Sequence, residues 1–99
     1  MKDILFGNKP YKIKIEHLNK EIYIRELSYT ALRSMQETQD YIEKSFIALI
    51  DGVCDEQGKR VFTQDDVPEI ANNMSWYAIQ EIAGKIAEIT TATDNDLVK

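Results

Sequence analysis

Between Asp51 and Val67 the chain reads DGVCDEQGKRVFTQDDV, a run dense in carboxylates and carrying two glycines. Acid oxygens gathered on a glycine-bent loop are what a calcium ion needs. An EF-hand loop places oxygen ligands at positions 1, 3 and 5, glycine at 6 and glutamate at 12. Counted from Asp51, these places hold Asp51, Val53, Asp55, Glu56 and Phe62. Valine and phenylalanine carry no ligand oxygen, and Glu56 cannot make the turn that glycine makes. Counted from Asp55, Lys59 falls on a ligand position. The run is not a calcium loop by this pattern. It reads instead as punctuation between helices: Gly52 closes one helix, and Gly58 supplies a positive φ in a polar turn. Thr63 and Asp66 have the spacing of a helix cap, and Pro68 suits a first helical turn.

The other reactive side chains are isolated. The single histidine, His17, falls in a turn between strand-like segments, and one histidine cannot assemble a zinc site. The single cysteine, Cys54, has no partner for an internal disulfide and no activating neighbour, so it reads as a small core residue suited to a reducing compartment. Four scattered glycines form no phosphate-binding loop, and the pair Asp65 and Asp66 is explained by capping. No catalytic set, metal or cofactor is expected, and the expected role is non-enzymatic.

The elements around these residues are legible from periodicity. Residues 11–16, YKIKIE, and 21–25, EIYIR, alternate apolar and polar side chains, as strands with one buried face do. The link HLNK makes them a hairpin. A loop from His17 to Lys20 sets Ile15 opposite Ile22, whereas a two-residue turn at Asn19 and Lys20 sets Lys14 against Arg25, an unfavourable pair. The longer loop is therefore expected. Ser28 is an N-cap candidate. Leu32, Met35, Ile42, Phe46, Leu49, Ile50 and Val53 then follow at helical steps, so a single long helix is expected over about 29–52. A short helix follows near 64–73. Ser75 opens a last helix, about 76–90, with the stripe Ile79, Ile82, Ala83, Ile86 and Ile89. Gly84 inside it invites close packing against another helix. Residues 91–99 lack periodicity and read as a frayed tail. The expected fold is α+β in a single domain over residues 1–99: an N-terminal antiparallel β-hairpin packed on a long amphipathic helix, a short helix and a C-terminal helix.

The chain has 99 residues and a net charge of −5, so a nucleic-acid partner is not expected. No apolar run reaches the ~20 residues of a membrane span, and Met1 begins no signal-peptide pattern, which points to a cytoplasmic location. Charge is uneven: six basic and three acidic residues in 1–25 give +3, leaving −8 on the rest. Such polarity allows head-to-tail pairing of copies, or simply two solvated faces.

The order hairpin, amphipathic helix, DEQGKRVFTQDDV, closing helix resembles the small tail assembly chaperones of long-tailed bacteriophages and prophages. A segment of the type D-x-x-G-x-x-x-F-x-x-x-D-V commonly joins two helical parts there, and Asp55, Gly58, Phe62, Asp66 and Val67 occupy those places here. The resemblance spans most of residues 11–90. It implies a protein that acts in the host bacterial cytoplasm and is absent from the mature virion. It also implies binding of the tape-measure protein, recruitment of major tail protein subunits, and self-association as a ring or helical stack. The rival readings are a structural virion component, such as a head–tail connector or tail subunit, and a protein-binding adaptor unrelated to phages.

Binding of this kind needs exposed apolar surface. Trp76 and Tyr77 open the last helix partly off its stripe, and Tyr41 and Tyr23 are further aromatic candidates. Trp76 is alternatively a lid on the core. Ile4, Leu5 and Phe6 either pin the N-terminus to its own core or dock on a neighbouring copy. The candidate protein-binding residues are therefore Trp76, Tyr77, Tyr41, Phe6 and Leu5.

Overall fold

The computed structural model describes the backbone of residues 9–98 and the side chains of residues 9–90. Strands β1 (Tyr11–Ile15) and β2 (Lys20–Ile24) form the expected hairpin, and a short β3 (Val53–Cys54) pairs antiparallel with β2 to give the order β1-β2-β3. Four helices follow among the described residues: α1 (Tyr29–Glu37), α2 (Tyr41–Gly52), α3 (Val67–Asn73) and α4 (Trp76–Val98). The α+β class stands as expected, with one more strand and one more helix break than the periodicity implied.

The hairpin register differs from expectation by one residue on each strand. Ile13 faces Ile22 and Ile15 faces Lys20, so the loop is Glu16–Asn19. The shift keeps the isoleucines on one face and sets Lys14 opposite Glu21, an opposite-charge pair. Asn19 takes the positive φ of 52° that closes the turn, a conformation asparagine tolerates.

The single helix expected over 29–52 is two helices. Asp40 breaks it: its Oδ1 accepts the Ile42 N–H at 2.9 Å and caps α2, while the Thr38 hydroxyl accepts the Asp40 N–H at 3.2 Å. Short polar side chains compete in this way with the helical ladder. The apolar stripe survives the break because α1 folds back on α2. Ser28 caps α1 as expected, accepting the Ala31 N–H at 3.2 Å. Val53 and Cys54 leave the helix and join the sheet. At the other end α4 continues to Val98, beyond the end expected near residue 90. No glycine or proline follows Gly84, and propagating a helix already nucleated is cheap.

The core sits between the sheet, α2 and α4, with Ile15, Ile24, Leu49 and Ile86 fully buried. Ile79 and Ile82 join Ile86 on the buried stripe of α4, as the spacing predicted. Phe62 packs partly against this core, whereas its neighbour Val61 is exposed. Cys54 is buried, and burial pushes its thiol above the usual range, away from a reactive thiolate.

Asp51, read from the sequence as punctuation at the helix end, does lie in the last turn of α2, but it is buried. Its Oδ2 accepts the Ser28 N–H at 2.8 Å, and Oδ1 accepts from Arg60 Nε at 3.0 Å and lies 3.7 Å from Arg25 Nη2. Arg25, buried at the end of β2, also donates Nε to the Asp51 carbonyl at 3.0 Å and Nη1 to the Gly58 carbonyl at 3.2 Å. One carboxylate therefore joins the sheet, the cap of α1, the end of α2 and the 55–60 turn. The remaining acids are turn and cap groups as read. Asp55 accepts the Gln57 and Lys59 N–H groups at 2.8 and 3.0 Å, Gly58 has φ 83°, and Asp66 accepts the Thr63 N–H at 2.8 Å.

Gly52 ends α2 as expected, and it also takes the close-packing role expected of Gly84. A Cβ on Gly52 would lie 2.6 Å from Ile86 Cδ1, so this glycine permits the close crossing of α2 and α4. A Cβ on Gly84 would meet no described atom within 4 Å. Gly52→Ala is therefore expected to destabilise by about 1–3 kcal/mol, and Gly84→Ala to stabilise by up to about 1 kcal/mol. Urea unfolding would refute the packing account if both shifted stability in the same direction. Asp51→Asn removes the charge facing two guanidinium groups and is expected to cost about 3 kcal/mol, read as a lower denaturation midpoint.

Candidate functional site

Three of the five candidate binding residues share one surface. Tyr41 is the first residue of α2, positioned by the Asp40 cap, and Trp76 and Tyr77 begin α4. The Ser75 hydroxyl caps that end by accepting the Tyr77 N–H at 3.2 Å. The Tyr41 ring meets Trp76 edge-on, with centroids 6.4 Å apart and planes at 76°. Trp76 is half-buried against the core, so it serves as the lid while Tyr41 and Tyr77 stay 62% and 68% exposed. Tyr77 in turn lies 5.8 Å from the His17 ring. Tyr23 sits apart, on β2 opposite Lys12 and Cys54, and is half-buried. Leu5 and Phe6, with Ile4, lie outside the described residues.

The hairpin tip is fastened to this surface by a carboxylate. Glu81 Oε2 accepts the Glu16 N–H at 2.7 Å, and Oε1 accepts the His17 N–H at 3.0 Å. The His17 Nε2 lies 3.2 Å from the Ser75 hydroxyl. The two backbone bonds, that from His17 foremost, hold the Glu81 carboxyl below its usual range. Docking the tip leaves an apolar groove of about 340 Å³ between it and α3, lined by Leu18, Phe62, Ile70 and Met74. A second trough runs beside α1 and α2 over Ile47 and Ile50.

Among the described residues no three histidine, cysteine or acidic side chains lie together as metal ligands, and no helix is long and apolar enough to cross a membrane. What the surface offers is rings, apolar grooves and carboxylates. Such a surface is suited to holding another polypeptide.

A family model described as "Phage tail assembly chaperone, TAC" matches residues 2–91. The chain belongs to that family. Its structure is similar to that of the tail assembly chaperone of bacteriophage HK97, with a TM-score of 0.58 and 18% identity over 81% of this chain and 84% of that one. At that identity the likeness speaks to the fold alone. No curated protein matches the sequence.

Two features of this chaperone were hidden from sequence reading. The Glu81 clamp joins residues 64 and 65 positions apart, and Glu81 has no sequence mark beyond lying off the apolar stripe of α4. The groove gathers side chains from the turn, the 62–66 segment and α3. A hairpin loop rich in free N–H groups was the only signal that an acceptor must arrive from elsewhere.

The lowered ionisation of Glu81, and of Asp55 through its Lys59 and Gln57 N–H bonds, fixes a pH dependence. A carboxyl whose folded pKa is depressed adds stability above its unfolded value and loses it as pH falls through the folded one. Thermal midpoints are expected to hold steady above about pH 5 and to fall on acidification below about 4. Glu81→Gln should flatten part of that fall, and an unchanged acid slope would show that the clamp is not formed in solution.

Proposed function

We propose that the chain is a non-enzymatic holdase of tail assembly, binding the tape-measure protein in the host bacterial cytoplasm and helping recruit major tail protein subunits around it. The observation that carries this reading is the pair of exposed rings on two helix N-termini, Tyr41 against Trp76 and Tyr77 beside His17, in a chain of the assembly chaperone family. Aromatic side chains on a fixed backbone bury large area at little entropic cost, as anchors of an interface do. A client of coiled-coil character presents apolar helical segments, which such anchors can cover. A chain of 99 residues has little spare surface, so a ring or helical stack of copies would extend the seat along a long client.

Co-purification with the tape-measure product tests the reading. Wild type is expected to retain it, and Tyr41→Ala with Tyr77→Ala to weaken retention by about tenfold or more at an unchanged thermal midpoint. Trp76 is left intact because it packs on the core. Failure of the wild type to retain the client would overturn the proposal, as would recovery of the chain's peptides from purified particles. The second outcome favours a structural virion component.

A further inference from the structure

The groove beside the hairpin tip carries two carboxylates and no cation among its lining residues. Its floor is Leu18, Phe62, Ile70 and Met74, and the charged side chains on its rim are Asp66 and Glu69. Neither is answered by a nearby cation in sequence: from Val61 to Gly84 the chain holds Asp65, Asp66, Glu69 and Glu81 and no lysine or arginine. Asp66 accepts from Thr63, while Glu69 stands exposed on α3. The second trough differs, with Arg60 and Glu43 both at its edge, so it selects neither sign.

The groove also ends at the start of α4, next in sequence to the aromatic pair. Ser75 lines it, and Trp76 and Tyr77 are the next two residues. An exposed tyrosine face attracts cations through its ring quadrupole. Apolar floor, acidic rim and aromatic flank therefore make the same selection. We propose that this groove seats an amphipathic helical segment of the client whose apolar stripe is bordered by lysine or arginine. The assignment deepens the client-binding reading and rests on it. Apolar residues at i, i+3, i+4 and i+7 fill the floor between Leu18 and Met74, and flanking cations meet Glu69, Asp66 and the Tyr77 ring.

The test uses the full chain with isotope-labelled methyl groups, titrated with three peptides. The first is an amphipathic leucine–lysine helix of about 18 residues, long enough to present a continuous apolar face. The second replaces its lysines with glutamate. The third is MKDILFGNKP, residues 1–10, whose Lys2 and Lys9 flank Ile4–Phe6 as a second copy would offer them. The first peptide is expected to shift the Leu18, Ile70 and Met74 methyl signals. Its affinity should fall about tenfold between roughly 0.05 and 0.5 M salt, as screening shortens the reach of Glu69 and Asp66. Glu69→Lys should weaken it about tenfold, with Glu69→Gln intermediate, the latter securing the comparison if the reversal disturbs α3.

The assignment is overturned if the shifts fall along Ile47 and Ile50 instead, if the glutamate peptide binds equally, or if the Glu69 variants bind as wild type does. Preferential seating of the 1–10 peptide also overturns it and gives the groove to a second copy. The two levels separate cleanly with the tape-measure product. Retention by the Glu69 variants, lost only with Tyr41 and Tyr77, removes the groove assignment and keeps the function. Binding of the lysine peptide by a chain that ignores the tape-measure product does the reverse.

Discussion

A single buried carboxylate organises this fold. Asp51 sits one residue before the crossing of α2 and α4 at Gly52 and faces Arg25, Arg60 and the backbone of Ser28 together. Those groups come from the end of β2, the 55–60 turn and the start of α1. A buried ion pair is weak evidence for stability, because desolvation offsets most of its attraction. Its effect here is geometric. The carboxylate has bonds to satisfy in three directions, and only one arrangement of strand, turn and helix cap satisfies them. The apolar core could tolerate small slips of α1 against α2, whereas an unsatisfied buried charge could not.

That constraint also explains why part of the fold was legible and part was not. Alternation in YKIKIE and EIYIR, the Ser28 cap, the positive φ of Gly58 and the Ile79–Ile82–Ile86 stripe are local signals, and each appears where its spacing placed it. The errors have a common cause in tertiary competition. A stripe that continues from Met35 to Ile42 cannot distinguish a straight helix from two helices folded face to face, since both bury the same side chains. Asp40 decides between them by capping. Likewise Val53 and Cys54 suit a helix end or a strand, and β2 with a free edge settles the matter. Gly52 read as a helix end and Gly84 as a packing site, and only the approach of Ile86 shows that Gly52 is the packed one.

The candidate site divides in the same manner. Its aromatic members could be read off as residues that sit beside, not on, an apolar stripe. Their meeting could not, because Tyr41 reaches Trp76 only once the Thr38–Asp40 break has redirected α2. The groove is further from view. Leu18 was a loop residue without evident purpose until Glu81 drew the hairpin tip onto α4, and its neighbours Ile70 and Met74 passed as ordinary positions of a short helix.

The placement of the exposed rings reconciles a small core with the binding surface proposed for it. Tyr41 and Tyr77 lie in first helical turns, where side chains project past the end of the packed stripe and a polar cap already fixes the backbone. Exposure there takes little apolar area from the core, whose largest fully buried residues, Ile15, Ile24, Leu49 and Ile86, lie on the strands, near the end of α2 and in the middle of α4. The caps bring a second benefit. A ring presented on a rigid helix start has little backbone freedom left to lose, so more of the area it buries against a partner appears as affinity. A surface built on loops would have to be ordered at the moment of binding. On the proposed reading, the two tyrosines would meet a partner from helix starts whose backbone the caps already fix.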